Sequence, residues 1–217
     1  MIEIPRKEIY RYLGYRGIEP DESVRRRTED CVQKLCAACT PRSIWKVLPL
    51  SSPSENVLIT GDMEIHSANL YRNMQGCEKA ALLAVTIGQG VDLLIRRAEL
   101  VSMTDAAIYQ AAGAAYVEAV CDDVNRQIIE KAVKEGLYCR PRFSPGYGDF
   151  SLEHQKDFFR ILEITKTIGV NLSDSLLMAP SKSVTAMIGM SRTAKPCVIE
   201  GCESCGSRDD CSFRRDT

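Results

Sequence analysis

The chain has 217 residues, is 45% hydrophobic and carries 28 basic against 29 acidic residues, which is enough apolar material for one sizeable core. The net charge of -1 leaves no electrostatic footprint for nucleic acid or an anionic membrane surface. The longest apolar run, Ala80 to Ile87, is too short to cross a bilayer and the start MIEIPRKEIYRYLGYRG lacks a secretory block, so a cytoplasmic protein is expected, in whose reducing setting the ten cysteines read as buried thiols or metal ligands.

In chain order, Pro20-Asp21-Glu22-Ser23 starts a helix carrying Val24, Cys31, Leu35 and Ala38 at helical spacing, and Thr40-Pro41 ends it. Cys36 and Cys39 form a CxxC, but among apolar helical neighbours they read as buried thiols. Ser43 to Leu50 and Glu55 to Thr60 predict a hairpin across a Ser/Pro turn, and Ile65 to Met74 a short helix. Ala80 to Ile87 predicts a strand buried on both faces. Gly88-Gln89-Gly90 breaks it without the third glycine of a dinucleotide loop, and Val91 to Leu100 resumes as helix. Thr104 is expected to cap the longest helix, which runs to about Glu135, is closed by Gly136 and is rich in small residues such as Ala111, Ala114 and Ala115.

Leu137 to Phe150 holds two prolines and two glycines and reads as a loop of fixed shape. Ser151 then caps an amphipathic helix ending at Gly169, and Asn171 to Pro180 with Ser183 to Met190 predicts a pair of strands around Pro180-Ser181-Lys182. The architecture implied is α+β, helices packed on a mostly antiparallel sheet. The expected division is one body, residues 1–194, and a cysteine-rich tail, residues 195–217.

The run Arg140 to Tyr147 combines a stiff backbone with a guanidinium and an aromatic ring. Pro145 presets one dihedral, Gly146 permits a backbone path or close ligand approach that a side chain would block, and Arg142 offers a donor fork for a carboxylate or phosphate. Taken alone, this describes either a ligand loop or a rigid connector with a solvated arginine.

The run RFSPGY, the amphipathic helix after it, and IGVNLSDSLLMAPSKSVTAMIGM together resemble the activation domain of cobalamin-dependent methionine synthase in order and spacing over about Gly136 to Met190. That family carries an RxxxGY loop, a helix and a Ser/Thr-rich hairpin. The resemblance implies that Arg142 holds the carboxylate of S-adenosylmethionine and that the backbone around Ser144 and Gly146 contacts its adenosyl part. Tyr147 would lie where the loop meets the corrin ring, the position closest to the chemistry. Ser144 stands where the family commonly has alanine. The family's acidic residue on the preceding helix is matched to Glu118, which also suits a solvated helix position. Portions of the family domain at both ends have no counterpart here, so the acidic residue they contribute is left unassigned. No Asp-x-His-x-x-Gly cobalamin motif is present, so cobalamin is expected on a separate corrinoid-bearing methionine synthase or related protein, with a possible electron donor as a further partner.

The implied function is support of the reductive methylation of cob(II)alamin on that partner, a methyltransferase-type activity only in complex. An S-adenosylmethionine or corrinoid-binding regulator and a cysteine-cluster electron-transfer protein are the alternatives. His66 and His154 read as ordinary surface or helix residues. Cys197, Cys202, Cys205 and Cys211 lie within a polar tail that cannot bury four thiols as core, which suits zinc or a four-iron four-sulfur cluster.

Overall fold

The computed structural model describes residues 2–15 and 17–194. In chain order these form α1 (Arg6–Tyr12), α2 (Glu22–Ala38), β1 (Arg42–Ser54), β2 (Val57–Thr60), β3 (Met63–His66), α3 (Ala68–Asn73), β4 (Lys79–Thr86), α4 (Gly90–Val101) and α5 (Met103–Lys134). There follow β5 (Tyr138–Cys139), a 3-10 turn at Leu152–His154, α6 (Gln155–Ile161), α7 (Ile164–Ile168), β6 (Asn171–Leu172), β7 (Met178–Ala179) and β8 (Ser183–Ser191). The main sheet has the order β3-β2-β1-β4-β8-β5, and every pairing in it is antiparallel. The α+β expectation is met.

β4 is the axis of the molecule because its small and apolar residues are packed on both faces. Ala81, Leu83 and Val85 face a core built with α1, α2, α4 and α5, whereas Ala80, Leu82 and Ala84 face a second core with α3, α6 and α7. Alternate residues of a strand point to opposite faces, so a continuous apolar run is what a two-sided core demands. Its partner β8 obeys the same logic, with Ala186, Ile188 and Met190 on one side and Met187 on the other. Close approach is built in on the first side: a Cβ added to Gly90 would lie 1.9 Å from the Ala38 carbonyl oxygen, so α4 can start against the end of α2 only with glycine there.

Several expectations need correction. Ser183–Ser191 does not pair with the segment before it; it lies between β4 and β5, and β6 pairs instead with β7 in a separate two-stranded ribbon. Ser181 turns the chain away by donating its amide and hydroxyl to the Asp92 carboxylate at 2.9 and 2.5 Å. Ile65 belongs to a strand, since Met63 and Ile65 are buried while Glu64 and His66 are exposed, and the helix starts only after Ser67, whose hydroxyl accepts the Leu70 amide. The Ser/Pro stretch after Leu50 continues β1 to Ser54, and the turn falls at Glu55-Asn56. Ser102, not Thr104, caps α5, accepting the Asp105 amide from an extended backbone. The helix expected up to Gly169 breaks at Glu163, which has φ 49°. Leu162 and Ile164 are both buried although two apart, a spacing that no single straight helix puts on one face.

Among the described residues no helix is long and apolar enough to cross a membrane.

Candidate functional site

The loop after α5 begins as the edge strand of the sheet and is then forced off it. Tyr138 and Cys139 pair with Ser191 and Met190, the Arg140 amide donates to the Gly189 carbonyl at 2.8 Å, and Phe143 and Met187 exchange backbone bonds at 2.9 and 2.8 Å. From Arg140 opposite Gly189 to Phe143 opposite Met187 the loop has one residue more than β8, a bulge on an edge strand where Pro141 is tolerated, and Arg142 within it reaches α5. Beyond Phe143 the chain folds into two linked turns. The Tyr147 amide donates to the Ser144 carbonyl at 3.2 Å, the Phe150 amide to the Tyr147 carbonyl at 3.0 Å, and the Gly146 amide to the Phe150 carbonyl at 2.7 Å. Gly146 sits at φ +94°, a conformation that a residue with a Cβ rarely adopts.

Two anchors hold the far end. Phe150 is buried beside the rings of Phe143 and His154. The Asp149 carboxylate accepts from the Ser67 hydroxyl at 2.5 Å and from the Ala68 and Asn69 amides at 2.7 and 3.1 Å, tying the loop to the start of α3. The Ser67 bond, followed by the amides, holds the Asp149 carboxyl below the usual carboxylate range. Before these anchors Tyr147 is 69% exposed, and after them the chain exposes Leu152.

Glu118 and Arg142, matched from different parts of the sequence, meet here. Arg142 Nη2 donates to Glu118 Oε2 at 2.5 Å, and Asp122, one helical turn further along α5, places Oδ1 3.0 Å from Nη1. The second contact is an ion pair by distance only: Nη1 is withdrawn from solvent and donates no hydrogen bond. The Arg142 side chain is 24% exposed, against 38% for that of Glu118 and 68% for that of Asp122. Asp122 escaped the sequence reading, although its spacing of four from Glu118 puts both carboxylates on one helix face. Cys121 behind them is a buried neutral thiol, pushed up to about 12 by burial.

Ser144 is half-buried, its carbonyl engaged in the turn just described. The two histidines stand apart from this cluster: His66 is exposed and paired with Glu64, and His154 lies under the loop, paired with Asp157 at 3.0 Å. Among the described residues no group of three or more His, Cys, Asp or Glu is placed to hold a metal. The tail ligands Cys197, Cys202, Cys205 and Cys211 lie outside the described residues.

The loop and α5 thus present a carboxylate pair, a guanidinium with one unbonded nitrogen, a glycine-bearing turn and an exposed aromatic. No curated protein matches the chain. Among solved structures it is similar to one titled "Crystal Structure of the MetH Reactivation Domain bound to AdoHcy", with a TM-score of 0.64 and 16% identity over 87% of this chain and 72% of that one. Residues 74–204 match the family described as "Vitamin B12 dependent methionine synthase, activation domain". That match takes in more than half of the chain, including α5, the Arg142 loop and β8, and the protein therefore belongs to the vitamin B12-dependent methionine synthase activation domain family.

Proposed function

We propose that this protein binds S-adenosylmethionine at the Arg142 loop and supports the reductive methylation of cob(II)alamin carried by a separate methionine synthase or related corrinoid protein. The observation that carries this reading is the buried, unbonded Nη1 of Arg142 beside a guanidinium bond to Glu118. A buried N–H without an acceptor is costly, and a ligand α-carboxylate would satisfy it while the ligand's ammonium turns to Glu118. The similar reactivation domain was solved with AdoHcy bound, the demethylated form of the same ligand.

The chain's own contribution is orientation. Phe143 and Asp149 pin the two ends of the turn, Gly146 leaves the backbone open to the adenosyl part, and exposed Tyr147 forms the face towards the corrin ring. The bound sulfonium supplies the methyl group, and a separate reductant supplies the electron that the cobalt needs. No side chain has to move a proton, which agrees with two histidines standing clear of the cluster. The cysteine tail, residues 195–217, is proposed as an appendage in which Cys197, Cys202, Cys205 and Cys211 bind zinc or an iron-sulfur cluster.

Calorimetry with S-adenosylmethionine is the direct test. The isolated protein should bind it with one site per chain and should not demethylate it until a corrinoid protein and a reductant are added. Absence of binding, or turnover without any corrinoid, would overturn the proposal.

A further inference from the structure

Arg142 is one cation set against two carboxylates, and this imbalance is the starting point. Glu118 is bonded at 2.5 Å, but Asp122 at 3.0 Å is poorly aligned, so its hold on Nη1 is loose and its side chain remains 68% exposed. The neighbours do not cancel the excess. Cys121 stays neutral because it is buried, and Arg126, the cation four residues beyond Asp122, is taken up by Asp123 at 2.7 Å. The cluster therefore carries one net negative charge.

A ligand carboxylate that takes Nη1 displaces Asp122 from the guanidinium. The freed carboxylate stays within a helical turn of Glu118, facing whatever positive charge the ligand brings. S-adenosylmethionine has a carboxylate, an ammonium and a sulfonium, for a net single positive charge; S-adenosylhomocysteine has a neutral thioether and no net charge. The sulfur is joined to the α-carbon through two methylene groups, so a head group seated at Arg142 keeps the sulfur within the field of the same carboxylates.

Building on the S-adenosylmethionine reading above, we propose that Asp122 is a specificity-determining residue: it favours the cationic methyl donor over its neutral demethylated product and so eases product release. Glu118 alone only balances Arg142; the second carboxylate is what gives the site a preference for an extra positive charge.

The test is calorimetry on the full chain with S-adenosylmethionine and with S-adenosylhomocysteine, using the wild type, Asp122→Asn and Asp122→Glu. Asp122→Asn should lower the donor-to-product affinity ratio by about twofold to fivefold, the range expected of a solvent-exposed charge pair. Asp122→Glu should restore the ratio, and added salt should shrink it in the wild type. An unchanged ratio in Asp122→Asn, or a lowered ratio that Asp122→Glu fails to restore, would overturn the role of Asp122 while leaving the site reading intact. If the wild type binds neither ligand, the site reading falls, and the role of Asp122 with it.

Discussion

Arg142 gives one aligned hydrogen bond to Glu118 and has one buried N–H without an acceptor, and this asymmetry decides how its removal should read out. The pair is partly exposed, so deleting the guanidinium should cost the fold only about 0–1 kcal/mol. A ligand carboxylate gripped by the same group loses a charge-assisted bond, and Arg142→Ala is expected to weaken S-adenosylmethionine binding by about 1.5–3 kcal/mol. Arg142→Lys should rescue little of this, because a point charge cannot bond to Glu118 and the ligand through a planar fork. Unchanged affinity in a calorimetric titration would remove Arg142 from the site.

At the scale of elements, the site depends on a loop tied to two pieces of secondary structure it does not belong to. β8 holds it through Phe143 and Met187, and the start of α3 holds it through Asp149. Asp149→Ala removes the acceptor of two helix-end amides and of the capping hydroxyl itself, a loss of about 1 kcal/mol by the usual worth of a helix cap, reduced here by solvent. The native carboxyl is depressed, so its stabilising contribution is full above the ordinary carboxylate value of about 4 and fades as the pH falls below that through the native value. Thermal unfolding of wild type and Asp149→Ala should therefore differ at neutral pH and converge in strong acid, and the variant should also bind S-adenosylmethionine more weakly. Curves that differ equally at both pH values would show that Asp149 acts through packing and not through charge.

For the whole molecule, the six-stranded sheet and both cores are built from described residues up to Ser191, after which Ser191 bonds to Thr193 and Arg192 pairs with Glu78. A chain ending at Ala194 should accordingly keep its fold and its S-adenosylmethionine affinity. The full chain, purified without oxygen, should carry zinc or an iron-sulfur cluster that the shortened one lacks, since the four tail thiols are separated by four, two and five residues, spans that let four sulfurs converge. Elemental analysis and visible spectra finding no metal in the full chain would end the metal proposal.

By itself the sequence determined the parts whose signal is local. The apolar run at Ala80–Ile87, the long small-residue helix closed by Gly136 and the stiff turn at Pro145-Gly146 are each set by composition or backbone preference over a few residues, and each is present in the structure. Tertiary structure alone decided what pairs with what. Nothing near Ser183 says that it crosses to β4, because an apolar strand pairs with whichever neighbour buries both its faces, and here that neighbour lies about a hundred residues earlier. Glu118 looked as well suited to a solvated helix face as to a ligand, and Asp122 gave no signal of its own beyond its spacing from Glu118. Both carboxylates meet Arg142 only because the bulged edge strand brings it onto α5, since the interaction of charges depends on distance through space and not along the chain.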